Sequence, residues 1–463
     1  MSTAGAVALT LVVLALAGCL PTVALVGGRL VALPLCPLSG AVLCALAAAS
    51  SIAVSGTMVM WLVLWASAAA ILSAAALWRR AGPGAQIGRD LRREGRPAVL
   101  LGGAAVAAAV AWALETVRVA STGFDTRAIW LLHARWLERG HSVALAALRN
   151  HFDVVSHPSY PPLVSAVMAL SWRVSGSGAD RVAVVTVAAL NACVLFVAGW
   201  GIVEVARRAA TRLKASAVSE RRLLALGVLL AALVVLVAGG VLGAFGTNGY
   251  ADPLWSLAAV AGVVYGLVLT PSTSDLGVVA IVVGVAGLSK VEGTAMAIVL
   301  VLAVLLRVLL ERGRAGTVRL PLTAAGLGLI ALLGWPLLVV LIGVPTDASI
   351  AGTRQGSLWV RAQATFHAAV PHLHVVALAA VIAVAGLCFM RPWRGRLGLG
   401  NDLWAWGVLS VAVLVLGGAY VFGPGNIELW LATSVDRTTI FVALTGWWIV
   451  TSWALCGLAG ILP

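Results

Sequence analysis

Uncharged apolar runs of about twenty residues recur from one end of the chain to the other, separated by short arginine-bearing breaks; a run of that length is what an α-helix needs to cross a hydrocarbon core. The pattern predicts spans at 4–26, 38–56, 57–78, 99–117, 182–205, 223–246, 253–271, 276–289, 293–311, 321–343, 373–391, 403–422 and 439–460, about thirteen in all. Of these, 276–289 is short for a full crossing. Residues 4–26 have the length of a signal peptide, but no positive charge precedes them and further spans follow, so they are read as a true span. The longest polar stretch is 118–181. Its apolar piece 161–174 is too short to cross and is interrupted by Arg173, which predicts a helix lying at the interface or half inserted.

The arginines orient the spans. Arg79, Arg80, Arg89, Arg92, Arg93 and Arg96 place the break after the third span in the cytoplasm. The cluster Arg207, Arg208, Arg212, Lys214, Arg221 and Arg222, then Arg312, Arg314 and Arg319, then Arg391, Arg394 and Arg396, mark further cytoplasmic turns. The stretches 118–181, 344–372 and 423–438 then lie outside, with the N-terminus outside and the C-terminus inside. The expected organisation is an all-α integral membrane bundle. Residues 1–97 form N-terminal transmembrane helices and a basic cytoplasmic loop, and 98–463 form a transmembrane core that includes the outer loop 118–181, whose short helices sit beside the membrane.

Composition sharpens this. With 61% hydrophobic and 10% charged residues and a mean hydropathy of +1.04, the chain is neither a soluble enzyme with one anchor nor disordered. A net charge of +14 would point to nucleic acid in a soluble protein. Here the basic residues fall between spans, so they serve topology and no nucleic-acid partner is expected. The six cysteines lie in apolar stretches without metal-ligand spacing, which argues against a disulfide framework or a zinc site.

Six of the seven histidines (His133, His141, His151, His157, His367, His372) fall in the predicted outer segments, and His374 stands at the outer end of the span 373–391. Five polar constellations accompany them. Gly123-Phe124-Asp125-Thr126-Arg127 follows the fourth span, and Asp125 there either caps the next helix or serves as a general base. In His157-Pro158-Ser159-Tyr160-Pro161-Pro162 the prolines fix a helix start, while His157 and Tyr160 can present polar tips to a phosphate or sugar. Gly249-Tyr250-Ala251-Asp252-Pro253 breaks two spans, with Asp252 as an N-cap or a functional acid. Leu288-Ser289-Lys290-Val291-Glu292-Gly293 puts a Lys and a Glu at hydrocarbon depth, as an ion pair of Lys290 with Glu292 or Asp252, or as an ammonium that binds phosphate. Ala432-Thr433-Ser434-Val435-Asp436-Arg437 ends the last outer loop, where Arg437 either anchors the interface or holds a lipid phosphate.

Taken in this order, these segments resemble the GT-C superfamily of polytopic glycosyltransferases that use polyprenyl-phosphate sugars, in the branch of protein O-mannosyltransferases and of lipid A and core glycosyltransferases. The likeness covers about 99–460 and leaves the three leading spans outside. It implies Asp125, the acid of the first outer loop, as the catalytic base or an acceptor ligand. It implies Arg127, His157, Tyr160, Asp252, Lys290, Glu292 and Arg437 as donor- or acceptor-binding residues, with Lys290 and Arg437 near the donor phosphate. The implied partners are a polyprenyl-phosphate-linked sugar, membrane lipids, and a glycan, lipid or protein acceptor of the envelope. No cofactor is demanded, although the pair Asp125 and Asp252 leaves room for a divalent metal. The implied place is the plasma membrane, with the site facing the exterior. Ala-, Val- and Arg-rich, Lys-poor usage fits a high-GC genome, and arabinofuranose or mannose is the favoured sugar. The alternative is a multi-span transporter or flippase of lipid-linked sugars. That alternative predicts internal repeats and midplane charges, whereas no repeat is evident and most charges gather at one face.

Overall fold

The computed structural model of the protein describes residues 1–79, 100–108, 110–112, 114, 123–150, 156–212, 216–269, 271–312, 328, 332–346, 354–389 and 402–461. Arg80, Arg89, Arg92, Arg93, Arg96, His151, Lys214, Arg314, Arg319, Arg391, Arg394 and Arg396 lie outside the described residues. So do the expected domain boundary at 97–98 and parts of 99–117, 118–181, 321–343, 344–372 and 373–391.

The apolar runs form helices: α1 (Thr3–Val26), α2 (Ala32–Val54), α3 (Met58–Arg79), α4 (Leu132–Arg139), α5 (His141–Leu148), α6 (Leu163–Ser175), α7 (Asp180–Arg212), α8 (Ala217–Thr247), α9 (Asp252–Val263), α10 (Thr273–Ser289), α11 (Val291–Arg312), α12 (Leu332–Leu341), α13 (Leu358–Phe389), α14 (Asp402–Phe422), α15 (Ile427–Thr438) and α16 (Ile440–Ile461). Eight candidate spans, from Thr3–Val26 to Ile427–Leu455, are long and apolar enough to cross a membrane among the described residues. The protein is an all-α, multi-pass membrane protein. The short expected span 276–289 corresponds to α10, of 17 residues. The piece 161–174 is α6, whose residues Leu163 to Trp172 are all buried against α1, α2, α4 and α7.

The centre of the bundle is α9, in which every residue is buried, packed against α7, α8, α10, α11 and α16. Helices α1 and α2 touch backbone to backbone, because a Cβ added at Gly18 would fall on the Cys36 carbonyl and the Gly40 amide; such close approach is how helices associate where lipid competes for apolar surface.

The alternating helices sort charge into two layers. At one end stand Asp252, which starts α9, and Lys290, which follows α10. At the other end are Arg29 after α1, Glu204 and Arg208 near the end of α7, and Asp275 in the first turn of α10. The length of α10 separates the layers by about 25 Å.

Candidate functional site

Asp125 opens a π-helical turn, Thr126–Leu131, that runs into α4. Thr126 donates to the Asn248 carbonyl, which pins this turn to the break between α8 and α9. That break turns at Gly249, in the left-handed region at φ 72°, where a residue without Cβ fits at no steric penalty. Gly123 completes the fit, since a Cβ there would fall on the Tyr250 phenol ring. Neither acid acts as a helix cap: the Asp125 side chain makes no cap hydrogen bond, and Ala251 rather than Asp252 precedes the first turn of α9.

The two carboxylates turn instead to cations. Arg437, near the end of α15, donates to the Asp125 carboxylate and, through Nη2, to the Thr433 carbonyl at 2.7 Å. The same guanidinium lies 3.9 Å from Asp252 Oδ2 and 5.0 Å above the Tyr250 ring. Lys290 Nζ donates to Asp252 Oδ1 at 2.8 Å and stands 3.2 Å from Glu292. The charges therefore alternate along one chain, Asp125, Arg437, Asp252, Lys290, Glu292. Tyr160 forms the adjoining wall, its ring 5.9 Å from Lys290 Nζ and stacked on His157 at 4.7 Å. His157 is held at φ 48° in a turn closed by the Tyr160 amide on its carbonyl at 3.0 Å.

Seven of the eight residues singled out in the sequence meet in this cluster; Arg127 is exposed on the π-helical turn. Both candidate pairings of Lys290 are present together. Sequence reasoning missed the ring of Tyr250 under Arg437, and Tyr420, whose hydroxyl is 2.8 Å from those of Ser434 and Thr438. The signal for them is scarcity: the chain has four tyrosines, and Tyr160, Tyr250 and Tyr420 gather around this one site. His372 adds a contact to Asp436 at 3.0 Å.

Two features bear on ligands. Burial pushes the Tyr250 phenol up, with the Asp125 carboxylate adding to the shift, so Tyr250 stays a neutral hydroxyl that can donate. Asp252 Oδ2 and Glu292 Oε2 are buried carboxylate oxygens without a hydrogen-bond donor; such acceptors are satisfied by incoming hydroxyl groups. Among the described residues no group of three or more His, Cys, Asp or Glu is arranged to hold a metal ion. Compared with family models, with curated proteins and with solved structures, the chain matches none.

Proposed function

We propose that the protein is an inverting glycosyltransferase of the plasma membrane, a GT-C-like bundle of about thirteen spans with its site on the outer face. It moves a sugar, arabinofuranose or mannose, from a polyprenyl-phosphate donor to a glycan, lipid or protein of the envelope. One observation carries this reading: a carboxylate suited to act as base, two cations suited to a phosphate, and two unfilled carboxylate oxygens suited to sugar hydroxyls converge from distant segments at one end of the bundle.

In the proposed step an acceptor hydroxyl attacks the anomeric carbon and gives its proton to Asp125. The bond from that carbon to the phosphate oxygen breaks, and its electron pair stays on the phosphate. Lys290 and Arg437 are the groups for that developing charge. Arg437 links the two events, because it already bridges Asp125 and Asp252: a phosphate that draws the guanidinium to itself frees the Asp125 carboxylate to accept the proton. A transporter would instead need a polar path between the two charged layers; α9 carries only Ser256 as a polar residue beyond its first, and the buried polar groups beside it are Asn191 of α7 and Thr445 and Ser452 of α16.

The test is transfer of labelled sugar from synthetic polyprenyl-phosphate arabinose and polyprenyl-phosphate mannose into envelope acceptors, with wild-type membranes against Asp125→Asn. Wild-type transfer should fall by about a hundredfold or more in the variant at equal protein level. Unchanged transfer in Asp125→Asn would take Asp125 out of the reaction, and no transfer by wild type from either donor would sink the proposal for these two sugars.

A further inference from the structure

Arg361, in the first turn of α13, is fully buried. The five N–H donors of its guanidinium match five backbone carbonyls. Nε donates to Val421 at 2.9 Å, Nη1 to Gln355 at 3.1 Å and Gly425 at 2.8 Å, and Nη2 to Tyr420 at 2.6 Å and Gly423 at 2.8 Å. Tyr420 and Val421 lie in the last turn of α14, where the closing carbonyls have no partner within the helix and a cation suits the helix dipole. Gly423 and Gly425 form the link from α14 to α15. Gly425 turns that link at φ 70°, and its carbonyl also accepts from the Gln355 amide at 3.3 Å. The next residue, Asn426, caps α15 by accepting from the amides of Glu428 and Leu429.

This link is therefore the base of the helix that carries Arg437. Helix α15 has twelve residues, and its buried Ile427, Leu431 and Val435 join Tyr420 in an apolar cluster separate from the main core. A helix seated on so small a cluster owes its place to polar fastenings. Arg361 secures its start through Gly425. Toward its end the Tyr420 hydroxyl reaches those of Ser434 and Thr438 at 2.8 Å each, three residues before Arg437 and one after it. Tyr420 links the two fastenings, since Arg361 binds its carbonyl and its hydroxyl holds α15.

We propose that Arg361 and Tyr420 are positioning residues, which hold α15 so that the Arg437 guanidinium reaches both Asp125 and Asp252. Arg361 acts through shape more than charge, because a lysine keeps the charge but offers three donors in place of five. The catalytic consequence rests on the transferase reading: a displacement of Arg437 by about 1 Å would carry it off the departing phosphate and slow the reaction.

The experiment is a double-mutant cycle on the full-length protein in detergent. Melting temperatures of Asp125→Asn, Arg437→Gln and the double variant depart from additivity when the two side chains interact. The cycle is run in wild type, in Tyr420→Phe and in Arg361→Lys. Wild type should be non-additive, and each background should reduce the non-additivity by about half or more. A role in stability alone would lower every melting temperature and leave the non-additivity intact. Tyr420→Phe deletes a single hydroxyl, so it decides the matter where Arg361→Lys does not fold. An additive cycle in wild type, or non-additivity that survives in full in the folded variants, overturns the inference. In sugar transfer the same two variants should lose about tenfold or more in kcat, with a smaller change in KM. An unchanged kcat where the coupling is lost also overturns it, because Arg437 would then not need this position. The two readings fail separately: coupling lost as expected, without sugar transfer by wild type, supports the positioning role and tells against the transferase, whereas transfer at wild-type kcat with the coupling intact in both variants does the reverse.

Discussion

Asp252 is 1% exposed and faces two cations, so its stability depends on both. Removing one partner of a buried pair leaves an uncompensated charge, at about 3–5 kcal/mol, whereas replacing both by apolar groups is much milder. Lys290→Met should therefore lower the melting temperature in detergent more than the double variant Lys290→Met with Asp252→Leu; a double variant that melts lower than the single would show that the pair is not coupled in this way. His133 behaves differently. Burial pushes its imidazole down to about 3, helped by nearby His157, so it is neutral when folded and charges near pH 6.5 when unfolded. The unfolded state thus binds the extra proton, and stability present above pH 6.5 is lost as the pH falls, by about 1.4 kcal/mol per unit. The melting temperature of wild type minus that of His133→Phe should fall from pH 7.5 to about pH 5, and a difference that does not move with pH would refute the assignment. Of these contacts, the Lys290 pairings are legible in the sequence, because a lysine at hydrocarbon depth needs an acidic partner, Glu292 stands two residues away, and Asp252 opens another span at the same predicted outer end. The pairing of Asp125 with Arg437 is not, since 312 residues separate them and no pattern in either segment names the other.

At the scale of elements, the charged layer opposite the site is a knot of three helices. Asp275, fully buried, accepts from Arg29 at 2.9 Å and from Arg208 at 2.5 Å, and closes the start of α10 by accepting from the Ser272 amide at 2.8 Å. Glu204 gathers Arg207 at 2.7 Å, Arg208 at 3.0 Å and Arg29 at 3.4 Å. The apolar runs foretell that these helices exist and where the arginines sit, but an apolar run carries no period that tells which side faces which neighbour. For that reason Arg207 and Arg208 read as orientation signals alone, and Glu204 and Asp275 pass unnoticed. Position in the knot decides what each member contributes. Asp275→Asn removes a buried charge and its ion pairs with Arg29 and Arg208 together, so it should lower the melting temperature severely. Arg207→Gln should change it little, because that side chain is 38% exposed and an exposed pair contributes about 0–1 kcal/mol. Equal losses in the two variants, measured in the same detergent, would mean that the knot is held by packing and not by charge.

For the whole molecule, the sequence suggests a separable N-terminal part, since the resemblance begins only at about 99, yet the fold joins the two parts. Helices α1 and α2 pack on α6, α7 and α10, and a Cβ at Gly277 of α10 would fall on the Leu25 carbonyl of α1. Lipid can cover an apolar face as well as protein does, so loss of apolar contact alone would not undo the bundle in a membrane. Close backbone packing and charge are harder to replace. Without the first helices, Glu204 and Asp275 each lose the Arg29 guanidinium at a nearly lipid-depth site, and carboxylates in that setting are expensive. A chain limited to residues 98–463 should therefore fail to give a single sharp peak in size-exclusion chromatography, and co-expression of 1–97 as a separate chain should restore it, because the contacts across the boundary are non-covalent. A truncated chain that is monodisperse and melts like the full-length protein would show that these contacts are dispensable, and would remove the N-terminal helices from the fold's core.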